Sequence, residues 1–237
     1  MAARCAQAGG IIAVLRSRTG RADGRGTGVW SVTRTRRSPG RPRLSEIRVP
    51  SKQAIADAAA RLFMEKGYRA ATMEMVAEAA GLTKAAVYYH FKDKATLVVA
   101  AAHSVFTQAR AATEAILARP EPLRARLEAI ARIVLNLPQP FTAFDAMMLE
   151  VEGELTPEQL EAIRTEEQCV ISVVEEALVE GARRCDIRGE NPTFVAHAFI
   201  ALLRVGQARA VGGARRFSDT NATASLLMDM LWRGIQP

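Results

Sequence analysis

Three helix-length segments follow one another between Ile55 and Leu97, in the run IADAAARLFMEKGYRAATMEMVAEAAGLTKAAVYYHFKDKATL. Segments this short are marginal alone in water, so they must pack into one small unit, and the turns between them dictate how. Ser51, after Pro50, is placed to cap the first; Ile55, Ala59, Leu62 and Phe63 then share one face, and Gly67 ends it. Thr72 caps the second, which turns Met73, Val76, Ala77 and Ala80 inward before Gly81 breaks the chain. Thr83 caps the third, about Lys84 to His90. A turn as tight as Gly81-Leu82-Thr83 sets the second and third helices at a steep angle, the helix-turn-helix arrangement. Ala77 and Ala80 permit close approach, Leu82 can fill the angle, and Val87 and Phe91, four apart, can bury together.

The rest of the chain reads as helix throughout. A fourth helix opens near Asp93-Lys94 and runs to about Leu117, before Pro120 and Pro122. A fifth begins near Leu123 with the stripe Leu123, Leu127, Ile130 and Val134; Phe141 to Glu152 forms the next. Thr156-Pro157-Glu158-Gln159 starts a long helix expected to end at Gly181. Asn191-Pro192 starts another, expected to reach Val211, and the last spans roughly Asp219 to Trp232. No sustained strand alternation occurs. The expected fold is all-α with about nine helices: an N-terminal three-helix helix-turn-helix module, 49–97, joined to a larger C-terminal helical domain, 98–237.

Charge is uneven along the chain. Residues 1–50 carry 11 Arg or Lys against 2 Asp or Glu, 51–97 carry 7 against 5, and 98–237 carry 14 against 18. A polyanion should therefore meet the front of the molecule. Residues 1–48, rich in Gly and Arg, cannot bury enough apolar surface to order themselves, so a disordered basic tail is expected. Cys5, Cys169 and Cys185 are too few and too far apart for a disulfide framework, which fits a reducing cytoplasm. The three histidines do not cluster; no metal, cofactor or membrane span is expected. No nucleophile elbow, phosphate loop or metal-ligand spacing argues for an enzyme.

The outer face of the third helix carries the chemistry. Ala85 and Ala86 are short enough to let a helix sink into a major groove about 12 Å wide, and their methyls can meet thymine methyls. Lys84 can donate to guanine O6/N7 or to a phosphate. Tyr88, Tyr89 and His90 supply donors at the groove wall, one tyrosine packing while the other reaches out. Thr72 offers a hydroxyl and free amides to a phosphate. Lys94, badly placed for the dipole of the helix it opens, would be compensated by a phosphate partner.

The segments Ile55–Phe63, Gly67-Tyr68, Thr72–Lys84 and Val87–Leu97 together resemble the TetR family of bacterial transcription regulators. Weaker agreement continues through GARRCDIRGENPTFVAHAFIALLRVG, in a helix containing Gly206. The resemblance implies that Thr72 and Met73 begin the bracing helix, that Thr83, Lys84, Ala85 and Ala86 face bases or nearby backbone, and that Tyr88, Tyr89, His90 and Lys94 hold phosphates. It also implies a homodimeric repressor released from a palindromic operator by a small-molecule effector, whose two reading heads lie a whole number of helical turns apart.

Expected dimer residues are Phe194, Ala198, Leu202, Val205, Leu227 and Leu231, with Ala208, Leu226, Met230 and part of the protomer's own core sharing the stripe. An effector pocket would draw on His103, Phe106, Phe144, Met147, Met148, Val151 and Trp232, favouring an apolar or amphipathic ligand. Glu150, Glu152 and Glu154 read as a solvated face leading into the turn before Thr156. The competing reading is an architectural DNA binder working through the basic tail; an all-helical enzyme is a distant third. Deleting residues 1–48 separates the first two, since a repressor keeps its sequence preference without them.

Overall fold

The computed structural model describes residues 51–188 and 191–236. The expected basic tail, 1–48, and Cys5 lie outside the described residues. Nine α-helices occur among these: α1 (Lys52–Lys66), α2 (Met73–Ala79), α3 (Lys84–His90), α4 (Lys94–Leu117), α5 (Leu123–Asn136), α6 (Phe141–Val151), α7 (Pro157–Arg183), α8 (Pro192–Gly206) and α9 (Thr220–Ile235). A 3-10 turn, Glu152–Glu154, joins α6 to α7. No described helix is long and apolar enough to cross a membrane.

Most boundaries follow from local chemistry. Side-chain oxygens of Ser51, Thr72, Thr83 and Asp93 accept hydrogen bonds from the amides of Ala54, Met75, Ala86 and Thr96. Each satisfies one of the amides that a helix start leaves without a partner. Thr156 and Gln159 form a reciprocal capping box, with Pro157 at the first helical position.

Two ends differ from expectation. α7 does not stop at Gly181 but continues to Arg183. Gly181 is buried inside the helix, where a Cβ would stand 2.5 Å from Leu123 Cδ2. The stop comes at Cys185, which adopts φ 61° while Asp186 N–H reaches Gly181 O (2.9 Å) and Cys185 N–H reaches Ala182 O (3.1 Å). That is a Schellman closure with cysteine where glycine is usual. α8 ends at Gly206 rather than Val211. The buried Gln207 amide then donates to Val134 O (2.7 Å) and accepts from Phe141 N–H (2.8 Å), tying the end of α5 to the start of α6. Beyond it the chain turns back at Gly212-Gly213, both at positive φ, so that Arg209 and Arg215 bridge.

Two apolar clusters form the interior. The first joins α1, α2, Val87, Phe91 and the first half of α4 to Met147, Val151, Leu155 and Ile163. The second gathers the end of α4 with α5, the C-terminal half of α7, α8 and α9. α6 and the start of α7 thus share a core with the three-helix unit, and α4 belongs to both clusters.

Candidate nucleic-acid interface

α3 is anchored by its back. Val87 and Phe91 are fully buried, and burying side chains of this kind contributes about 1.5–3 kcal/mol each. Leu82 packs against the same cluster in the angle between α2 and α3. The outer face stays open: Thr83, Lys84 and Ala85 are exposed and Ala86 is half-buried. Neither tyrosine is buried. Tyr89 is 86% exposed and stands edge-on to the His90 ring at 5.2 Å, while Tyr88 is 43% exposed. Lys84 Nζ lies 5.6 Å from the centre of the Tyr88 ring, within cation–π range.

The start of α2 is already engaged. Glu74 forms an ion pair with Lys84 across the turn, both side chains being a little over half exposed. The Lys84 ammonium, with Glu74's own amide and the Thr72 hydroxyl, holds the Glu74 carboxyl below its usual value. The same contact raises Lys84 above the usual ammonium value. Met73, expected to face inward at the start of this bracing helix, has its side chain in the core.

Lys94 also departs from expectation. It is half-buried, sits 4.0 Å over the Tyr68 ring and donates to Arg69 O at 3.5 Å. Partial burial lowers its pKa, and the negative charges of Glu154 and Glu150 work the other way. The cation that would have opposed the α4 dipole is thus directed at an aromatic face inside the protein. The carboxylates expected to be merely solvated have partners here. Glu150 accepts from Arg69 N–H at 2.9 Å and Glu154 from the Tyr68 hydroxyl at 2.5 Å, whereas Glu152 lies 3.9 Å from Arg164. Sequence reasoning missed Glu74; the available signal was a carboxylate within the first turn of α2, where a helix start favours negative charge.

The residues expected to line an effector pocket are divided between the two clusters and one cleft. Met147 and Val151 are buried in the first cluster, with Phe144, Phe106 and Met148 packed against it, and Phe106 and Phe144 stack edge-to-face at 5.2 Å. Trp232 packs against the second cluster. Only His103 borders a cleft of about 620 Å³, whose walls include Ala56, Phe91, Val99, Ile163 and Glu166 between α1, α4 and α7. His103 Nδ1 lies 2.6 Å from Glu166.

The α8–α9 surface divides the expected dimer stripe. Leu227 and Leu231 are buried in the protomer's own core, and Ala198 and Leu202 are half-buried. Phe194 (71% exposed), Val205, Leu226 (58%) and Met230 (59%) point outward. Among the described residues no three His, Cys, Asp or Glu side chains gather as a metal site.

Known proteins share this arrangement. The sequence profile for "Bacterial regulatory proteins, tetR family" matches residues 55–101, which run from α1 into α4. Over 47 residues the chain is 45% identical to the HTH-type transcriptional regulator AcrR of Shigella flexneri, covering 20% of this chain and 22% of that protein. The matched segment thus spans under a quarter of that relative. A putative TetR-family regulator from Mesorhizobium loti superposes with a TM-score of 0.66 at 22% identity, over 81% of this chain and all of the other. PfmR, a TetR-family regulator from Thermus thermophilus, superposes at 0.56 with 27% identity, over 76% of this chain and 97% of the other. The profile falls on the helices that present α3, and the solved structures extend the likeness in fold through the helices behind it: residues 55–101 carry the DNA-binding domain of the TetR family of bacterial regulatory proteins.

Proposed function

We propose that this chain is a homodimeric, sequence-specific DNA-binding transcriptional repressor, released from a palindromic operator by a small-molecule effector. Residues 49–97 are the reading head and 98–237 the effector-binding and dimerisation domain. The observation that carries the reading is α3 itself: an aliphatic back fixed by Val87 and Phe91, and a front of Lys84, Ala85 and Ala86 that admits close approach to base edges. Thr83, Tyr88, Tyr89 and His90 lie beside that front as backbone contacts, and Thr72 marks the neighbouring helix start.

The outward apolar residues of α8 and α9 support pairing of two copies, which sets two heads a fixed distance apart. The shared core of α1, α6 and α7 supports coupling, because an effector that shifts α6 or α7 must move the reading head with them. The cleft beside His103 is the opening through which an apolar or amphipathic molecule would reach these helices. Release then requires the effector to bind the non-matching head spacing more tightly than the matching one. Selection of duplexes from a random pool by the full chain tests this reading: a two-fold symmetric site is expected, and indifferent capture of all duplexes overturns it.

A further inference from the structure

Glu74 stands at the start of α2, bound to the residue best placed to read a base. We infer that Glu74 is a specificity-determining residue, holding the Lys84 ammonium away from the phosphate backbone so that Lys84 is released only to a matching base edge. This rests on the assignment of α3 as the recognition helix.

Three observations carry it. Glu74 stands at the second position of α2 and Lys84 at the first of α3, so the ion pair bridges the two helices that meet at the groove. The Tyr88 ring lies under the same ammonium, giving Lys84 a second partner inside the protein. Both charged side chains are more than half exposed, so the pair lies open to the same surroundings as a bound duplex.

The consequence differs between duplexes. On an arbitrary sequence the closed pair has no net charge, so Lys84 adds nothing to counterion release. On a matching sequence guanine O6/N7 accepts from Lys84, and the freed carboxylate can accept from a cytosine amino group. Opening the pair is repaid only there. An exposed ion pair is weak, so the effect is a bias and not a lock.

The test uses the full chain, wild type and Glu74→Gln, with the selected operator and a random duplex across a salt series. Removing the carboxylate frees one cation per protomer. Random-duplex binding should strengthen, and its log–log salt slope should steepen by about 0.9 per protomer. The operator-to-random ratio should fall roughly tenfold, within the range of one lost base discrimination. Glu74→Asp keeps a carboxylate and should retain most of the ratio. In a Lys84→Gln background, Glu74→Gln should leave the slope unchanged. Equal change on both duplexes, no change on either, or a slope that still steepens without Lys84 overturns the inference. If the wild-type chain selects no site at all, the recognition-helix assignment fails first and this inference with it.

Discussion

The Tyr68 hydroxyl donates to Glu154 at 2.5 Å, joining the turn after α1 to the turn after α6. The Tyr68 ring is buried and lies under Lys94, and the neighbouring amide of Arg69 is held by Glu150. The junction therefore fastens the turn after α1 to α6 and the 3-10 turn that follows it by two hydrogen bonds beside one aromatic ring. Burial, then the hydrogen bond to Glu154, pushes the Tyr68 phenol far above its ordinary value, so it is a proton donor at every working pH.

Tyr68→Phe keeps the ring and removes only the donor. Glu154 is at the surface and can rehydrate, so the expected loss is near the usual net value of a hydrogen bond, about 1 kcal/mol. For a chain this long that lowers Tm by roughly 2–4 °C. Thermal unfolding of Tyr68→Phe, Glu154→Gln and the double variant checks it. The two losses should not add, because they break one bond. Full additivity would mean that the contact contributes nothing.

Neighbouring leucines on α9 should behave oppositely. Leu226 faces outward and Leu227 is buried against α5 and α8. Leu226→Asp, alone or with Met230→Asp, should give a folded monomer in light scattering, with unchanged helicity. Leu227→Asp places an unpaired charge in the core and should prevent folding. A Leu226→Asp chain that still pairs would locate the dimer interface elsewhere.

Two glycines should respond to alanine with opposite signs. At Gly206 a Cβ would meet Leu135 Cδ2 at 2.6 Å and Leu227 Cδ1 at 2.8 Å, from helices on two sides. Overpacking of this kind costs about 1–3 kcal/mol and exceeds the helix-propensity gain of up to about 1. At Gly234, inside α9, a Cβ would find nothing within 4 Å, so only the propensity gain remains. Denaturant midpoints should fall for Gly206→Ala and rise for Gly234→Ala; a fall in both would mean that α9 is held open at Gly234 by something other than sterics.

What the sequence made legible was local. Ser51, Thr72, Thr83, Asp93 and Thr156 fix helix starts through bonds to the residue three positions on, so their position alone announces them. The exposed front and buried back of α3 follow from the spacing of Val87 and Phe91 in the same way. Gly181 looked like a stop because a late glycine usually is one; its actual reason, the approach of Leu123, lies 58 residues away in the chain. Lys94 looked free for a phosphate because Tyr68 comes to it only through the packing of α1 on α4, and Glu154 only with the turn after α6. Leu226 and Leu227 are one residue apart, and which of them faces a partner depends on where α5 lies. The apolar residues expected around a pocket lie in or against the two clusters, and which of them borders a cavity depends on packing between helices far apart in the chain.

Glu128 supplies a pH-dependent prediction. It joins α5 to α9 by accepting from the Ser225 hydroxyl at 2.8 Å, and it pairs with Arg132 at 2.7 Å. The Ser225 bond first, then Arg132 and Arg124, holds its carboxyl below the ordinary value of 4.5. A depressed carboxyl stabilises the fold above its unfolded pKa and loses that contribution as pH falls through the folded one. Glu128→Gln keeps the shape and removes the charge, so it should destabilise by about 1 kcal/mol near neutrality, the usual net value of such a bond. The gap to wild type should be constant from neutrality down to about the ordinary carboxylate value and should close below it. Urea unfolding of both chains over a pH series measures the gap. A difference that persists unchanged in acid would show that the Glu128→Gln chain fails by packing and that the charge on Glu128 is not what binds α9 to α5.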